Sequence, residues 1–108
     1  MRTRNLKKET LDNLIVALCL DYFRRKKLID EGMIGRRCLV EFRYLNIKIY
    51  DAVAEIVGEG LAEIYIEELG KNVGYAKSEL IDEISEVTYK KYKLLAKENI
   101  AKKLHLFG

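Results

Sequence analysis

The sequence predicts an all-α protein in which a long antiparallel helical hairpin precedes a short C-terminal helical group with a helix-turn-helix-like end. Three observations indicate this fold: apolar residues recur at spacings of three and four, glycines separate the periodic segments, and the chain contains no proline. The length of 108 residues fits one domain, and 49% hydrophobic residues favour folding over disorder. We expect a single helical domain over 1–108, with the hairpin over 10–57 and a helix-turn-helix portion over 61–108.

The first helix of the hairpin is predicted to run from Thr10 to Asp30, with Thr10 as its N-cap and Gly32 as its C-terminal cap. Its apolar stripe consists of Leu11, Leu14, Ile15, Leu18, Cys19, Tyr22 and Ile29. A basic run, Arg24 to Lys27, falls in the predicted last turns, where cations complement the helix dipole. We prefer this structural interpretation of the run to a targeting signal.

The second helix is predicted from Gly35 to Val57, because its apolar periodicity ends at Gly58 and Gly60. A connection of only a few residues makes the two helices antiparallel neighbours. Cys19 and Cys38 fall in the apolar patterns of these two helices. Both thiols are therefore predicted to be reduced and mainly buried.

The elements of the C-terminal group are predicted to be shorter. They are a three-turn helix over 61–70, a loop over 71–77, a short helix capped by Ser78, and a last helix that begins near Glu86 after Ser85. The apolar face of the last helix consists of Tyr89, Tyr92, Leu95, Ala96, Ile100 and Leu104.

Catalysis has little support in the sequence. His105 is the single histidine, no Cys/His grouping has the spacing of metal ligands, and no glycine pattern is typical of a phosphate-binding loop. Carboxylates that recur every four residues are interpreted as a solvated acidic face: Glu55, Glu59, Glu63 and Glu67. We expect a protein that is not an enzyme and needs no metal or cofactor. No apolar run approaches the ~20 residues of a membrane span, and we expect a cytoplasmic protein.

The net charge of +3 conceals a strong asymmetry along the chain. Residues 1–37 carry ten basic and five acidic residues, residues 38–84 carry four and ten, and residues 85–108 carry six and two. Basic ends therefore flank an acidic middle. This distribution fits attraction of a polyanion, and it equally fits pairing between segments within the chain or across a dimer.

The lysine-rich start of the last helix is the strongest candidate for a binding site. We expect it to contact duplex DNA, with Thr88 and Tyr89 near the groove and the lysines on phosphates. The candidate DNA-binding residues are Ser85, Thr88, Tyr89, Lys90, Lys91, Lys93 and Lys97. On a helical wheel Lys90, Lys93 and Lys97 share one flank beside the apolar face. The alternative interpretation is an exposed helix whose lysines only increase solubility.

The C-terminal third carries a series of short motifs: VGYAKS over 73–78, SEVTYKKYK over 85–93 and IAKKLHL over 100–106. These motifs resemble the LGYS-like turn, the TYYRxK-like helix start and the LAxxLGL-like tail of the small phage regulators of late transcription, the ArpU type. The earlier Arg43-Tyr44-Leu45 triplet resembles an RY pair of that family. The last helix-turn-helix of sigma factors is a more distant likeness.

The resemblance implies a helix-turn-helix transcription regulator from a phage or mobile element, with RNA polymerase as a further partner. Residues 79–87 separate motifs that are nearly contiguous in the family, so the recognition helix is either 75–84 or 85–104. We favour 85–104, because Glu79, Asp82 and Glu83 would repel phosphate.

A second interpretation is a non-enzymatic helical module for protein–protein interaction. Val40, Ile47 and Ile66 fall outside the main apolar stripes. Since exposed apolar residues often mark an interface, we expect a homodimer.

Overall fold

Helices make up most of the protein. The computed structural model describes residues 2–32 and 34–106, with side chains from Lys8 onward. The helices in these ranges are α1 (Arg2–Leu20), α2 (Tyr22–Glu31), α3 (Arg36–Val57), α4 (Glu59–Gly70) and α5 (Glu86–Lys103), with a 3₁₀ turn at Tyr75–Lys77. The predicted all-α fold is confirmed.

The first helix begins earlier than predicted and is interrupted at Asp21. Helix α1 starts at Arg2, so Thr10 lies inside the helix and is not its N-cap. The segment before Thr10 contains two arginines, two lysines, a leucine and a glutamate, which have high helix propensity and give no reason for a later start. At the interruption the amide of Asp21 still donates to the Ala17 carbonyl, so α1 and α2 form one long, bent helix.

A buried arginine holds this bend. The Arg25 guanidinium donates to the Leu18 carbonyl at 2.7 Å, to the Asp21 carboxylate at 3.1 Å and to Asn46 Oδ1 at 2.7 Å. The Asn46 amide in turn donates to the Tyr22 carbonyl at 3.1 Å. Arg25 therefore joins the end of α1 and the start of α2 to the middle of α3.

Helix α3 lies at the centre of the fold. It packs against α2, α4 and α5, whereas α1 packs mainly against α4 and less extensively against α5. The antiparallel pairing of the hairpin is thus made by α2 and α3, because the bend directs α1 onto other helices. The core consists of Ile15, Cys19, Tyr22, Ile49, Ala52, Val53, Ala62, Tyr65, Ile66, Leu69, Leu80, Tyr89, Ala96, Ile100 and Ala101.

The two cysteines differ in their environment. Both are free thiols; Cys19 is buried, and burial raises its pKa to about 12. Cys38 is exposed, so the prediction that it is buried is wrong. Cys38 lies in the first turn of α3, and the buried residues of this helix begin only at Asn46. The first turns of α3 therefore lie outside the core.

Glycines end the helices where the sequence predicted. Gly32 adopts a left-handed conformation (φ 66°), and its amide donates to the carbonyls of Leu28 and Ile29. Gly58 has φ 89° and separates α3 from α4. The predicted limits of α3, next to Gly35 and Gly58, are confirmed.

The connection between α4 and α5 spans 71–85 and contains one helix fewer than predicted. Beyond the 3₁₀ turn, the residues after Ser78 form hydrogen-bonded turns rather than a helix. The Tyr75 hydroxyl donates to the carbonyls of Ile81 and Ile84, both at 2.7 Å, and so closes these turns. A DNA-binding helix-turn-helix typically joins its two helices by a turn of about 3–4 residues, so this connection is much longer.

Candidate nucleic-acid interface

Helix α5 begins at Glu86, as the sequence predicted, and Ser85 is its N-cap. The Ser85 hydroxyl accepts a hydrogen bond from the Thr88 amide at 3.2 Å and donates to the Thr88 hydroxyl at 3.0 Å. Glu86 in the first turn adds a favourable interaction with the helix dipole. The first turn of α5 is therefore fixed by local bonds, and Ser85 lies at the surface.

One face of α5 projects into solvent. It carries Val87, Lys90, Lys91 and Leu94, and Val87 is 79% exposed. Lys90 forms an ion pair with Glu86 at 2.7 Å, but both side chains are well exposed. Such an exposed pair contributes at most about 1 kcal/mol, so a phosphate can compete for the lysine. Lys91 forms no ion pair with another described residue.

The opposite face of α5 packs in the core, and Tyr89 lies on this buried face. Tyr89 is buried, and its hydroxyl donates to the Glu68 carboxylate at 2.7 Å. Its ring contacts those of Tyr65 and Tyr75 at centroid distances of 5.5 and 5.6 Å. The prediction that Tyr89 lies near a DNA groove is corrected, because the side chain is enclosed between α4, α5 and the connection.

Glu68 on α4 is the centre of the contacts that anchor this face. Its carboxylate accepts hydrogen bonds from the Ser78 hydroxyl at 2.6 Å, the Glu79 amide at 2.9 Å and the Tyr89 hydroxyl. Burial opposes its ionisation, but the three hydrogen bonds and the nearby Lys93 charge lower the pKa of Glu68. A buried carboxylate thus ties α4, the connection and α5 together.

The lysine flank predicted from the helical wheel is not uniformly available to a ligand. The Lys93 ammonium donates to the Val73 carbonyl at 2.7 Å and lies 5.1 Å from the centroid of the Tyr89 ring. Burial, followed by the neighbouring Lys97 charge, lowers the pKa of Lys93. Lys97 is half-buried towards α1, where its charge acts on Cys19. Of this flank, Lys90 alone is fully exposed.

Three of the four residues in the basic run of α2 have partners within the protein, and the fourth, Lys27, is exposed. Arg24 pairs with Asp21 and lies 5.6 Å from the Phe42 ring centroid, Arg25 is buried, and Lys26 pairs with Glu63 at 2.7 Å. The run lies outside the last turn of α2, so its predicted interaction with the C-terminus of that helix is wrong. Arg24 and Arg25 bond Asp21 at the N-terminus of α2, and Arg25 also bonds the Leu18 carbonyl.

The alternative recognition segment, 75–84, forms no helix of its own apart from the 3₁₀ turn. Its acidic residues Glu79, Asp82 and Glu83 are exposed beside the start of α5. Of the two candidates, α5 is therefore the one that presents a helix to solvent.

No protein family, curated protein or solved structure matches the chain. None of the helices in the described ranges is long and apolar enough to span a bilayer. Within the same ranges, no group of three or more His, Cys, Asp or Glu side chains could hold a metal ion.

Val87, Leu94 and Glu68 were not predicted as residues of the site. The spacing of Val87 and Leu94 from Lys91, four and three residues, already indicates a shared face. Nothing in the sequence distinguishes Glu68 from the neighbouring Glu67, because the partners of Glu68 lie 10 or more residues further along the chain, in the connection and on α5.

Proposed function

We propose that this protein binds duplex DNA through the exposed face of the N-terminal half of α5. The observation that carries the proposal is the projection of Val87, Lys90 and Lys91 from a helix whose opposite face is fixed in the core. A rigid helix with one free face is the element that most DNA-binding folds place in the major groove.

The side chains on this face have complementary tasks. Lys90 and Lys91 would contact phosphates, which position a protein on DNA without specifying sequence. Ser85 and Thr88 would add hydroxyl contacts, and Val87 would supply an apolar contact of the kind made with a thymine methyl group. Tyr89 and Lys93 hold the helix in place and do not touch DNA.

Further parts of the proposal rest on the resemblance of the C-terminal motifs to ArpU-type regulators. They are a role in transcription regulation, an origin in a phage or mobile element, and RNA polymerase as a partner. A cytoplasmic location is proposed with them, apart from the resemblance. The exposed acidic residues Glu79, Asp82 and Glu83 oppose phosphate binding near the start of α5. The phosphate contacts are therefore expected further along α5, at Lys90 and Lys91.

A substitution at Val87 separates binding from folding. Val87→Asp places a carboxylate in the first turn of α5, where it interacts favourably with the helix dipole by about 0.3–1 kcal/mol. The same carboxylate would face the phosphates and weaken DNA binding about tenfold or more. Fluorescence anisotropy with labelled duplex DNA measures the affinity, and urea denaturation measures the stability.

A matched pair of lysine variants controls for net charge. Lys91→Glu on α5 and Lys27→Glu on α2 each replace a positive charge by a negative one at an exposed position. We expect Lys91→Glu to weaken binding about tenfold and Lys27→Glu to change it little. Equal losses in the two variants, or unchanged affinity in Val87→Asp, would exclude this face of α5 as the contact surface.

A helical interaction module remains the second candidate function. The observation in its favour is a group of exposed apolar residues on α3, which includes Val40 and Ile47. Ile66, the third residue predicted to lie outside the apolar stripes, is buried in the core.

A further inference from the structure

An apolar stripe on α3 lies open to solvent. Val40 is 63% exposed, Tyr44 48% and Ile47 57%. Their spacing of four and then three residues places them on one face of the helix. Large side chains on neighbouring turns thus form a continuous apolar surface, which scattered exposed residues do not.

The position of this stripe in the fold explains why the chain leaves it uncovered. Buried residues of α3 begin at Asn46, so the first turns of the helix lie outside the core, where Phe42 lies 5.6 Å from the Arg24 guanidinium of α2. An open cavity of about 230 Å³ between α2 and α3 is lined in part by Ile29, Ile47 and Tyr50. The cavity adjoins the stripe at Ile47 and extends the apolar surface towards α2.

Charges of opposite sign lie at the two ends of the stripe. Arg36 begins α3 one turn before Val40, and Asp51 follows Ile47 by one turn on the same face. Both side chains are exposed, and neither forms an ion pair with another described residue. The stripe therefore has a basic end and an acidic end, with Val40, Tyr44 and Ile47 between them and the Lys48 ammonium 5.7 Å from the Tyr44 ring centroid.

We propose that a second copy of the chain packs against this stripe, with the two α3 helices antiparallel. The register that places Val40 opposite the partner's Ile47 also places Arg36 opposite the partner's Asp51. Tyr44 then lies close to the two-fold axis, beside Arg43 of the partner subunit, where a guanidinium–aromatic contact is favourable.

The order of charges selects a second copy over other occupants. A C2 interface must be complementary to itself, and a face that is basic at one end and acidic at the other meets this condition in the antiparallel arrangement. A partner helix of uniform charge would meet repulsion at one end. Antiparallel α3 helices also align their dipoles favourably.

Light scattering coupled to gel filtration at micromolar concentration tests the dimer. We expect wild-type protein at twice the mass of the chain and Ile47→Asp as a monomer. Val87→Asp is the matched control, since it adds the same carboxylate at an exposed apolar position of α5. It should remain dimeric even though it loses DNA binding, so the two proposals can fail separately.

Charge exchange tests the register. Arg36→Asp and Asp51→Arg should each raise the dissociation constant of the dimer about tenfold, because each creates two like-charge contacts. The double variant should have a dissociation constant close to that of the wild type, since residues 36 and 51 again carry opposite charges. The proposal is overturned if the wild type is a monomer or if Ile47→Asp remains a dimer. The register is overturned if the double variant dimerises no more tightly than the two single variants. Circular dichroism verifies that each variant keeps its helices.

Discussion

At the scale of single residues, the side chains of α5 divide between a contact face and an anchor. Tyr89 and Lys93 have the chemistry of DNA-contacting residues, yet their polar groups are used within the protein, on Glu68 and on the Val73 carbonyl. Residue type on a helix therefore does not identify a ligand site until the neighbours that cover the helix are known.

Glu68→Gln should destabilise the protein by about 2–4 kcal/mol at pH 7. The amide cannot accept all three hydrogen bonds that the carboxylate accepts, and a buried donor is left without a partner. The folded-state pKa of Glu68 is lowered, so its contribution is fully present above the unfolded-state pKa of about 4.3. It is lost as the pH falls through the lower, folded-state pKa. Urea denaturation at several pH values measures this dependence.

The neighbouring Glu67→Gln is the control for this experiment. Glu67 forms an exposed ion pair with Lys71, so its substitution should change the free energy of unfolding by at most about 1 kcal/mol. The assignment of Glu68 as the anchor fails if Glu67→Gln and Glu68→Gln lose the same stability. It also fails if the free energies of unfolding of the wild type and Glu68→Gln differ in acid as much as at pH 7.

At the scale of elements, the crossing of α1 and α4 depends on a close backbone approach. A Cβ atom added to Gly70 would lie 2.5 Å from the Leu20 amide nitrogen and 2.8 Å from the Cys19 carbonyl carbon. These are backbone atoms, so relief would require one helix to move. Gly70 thus allows the end of α4 to pack directly on the end of α1.

Gly70→Ala should lower the free energy of unfolding by about 3 kcal/mol, because the clash falls on backbone within the core. Gly60→Ala is the matched variant in the first turn of α4, where an added Cβ meets nothing within 4 Å. It should stabilise the protein by about 0.5–1 kcal/mol, since alanine has the higher helix propensity. Thermal melts measure both effects. A melting temperature of Gly70→Ala at or above that of the wild type would contradict this packing of α4 on α1.

Elements with local end signals were predictable from the sequence. Helices α3 and α5 begin next to Gly35 and at the Ser85 cap, and both signals act within a few residues of the helix end. The bend at Asp21 was not predictable, because it depends on Arg25 reaching Asn46 on α3. The short helix expected after Ser78 does not form; the carbonyls of Ile81 and Ile84 accept from the Tyr75 hydroxyl, a contact that local spacing does not reveal.

The candidate site was predictable only in part. The sequence located the start of α5 directly after Ser85, and it named Lys90 and Lys91, which are exposed. It could not distinguish Lys93 from these lysines, because a helical wheel describes one helix and omits the connection that covers its flank.

At the scale of the whole molecule, two exposed surfaces lie on different helices. The face around Val87 and Lys91 belongs to α5, and the stripe around Tyr44 belongs to α3. Both helices pack on each other through their buried sides, so DNA binding and self-association can proceed together. A dimer would carry two copies of the α5 face, as DNA-binding proteins with two half-sites do.

The salt dependence of duplex affinity tests the central claim most directly. If Lys90 and Lys91 contact phosphates, the logarithm of the association constant falls linearly with the logarithm of the salt concentration. The joint variant Lys90→Ala and Lys91→Ala should make this slope shallower by about 2, close to one for each lost phosphate contact. Lys27→Ala should leave the slope unchanged. A wild-type protein that binds no duplex DNA in a salt-dependent manner, or a slope that the joint variant does not alter, would contradict the account.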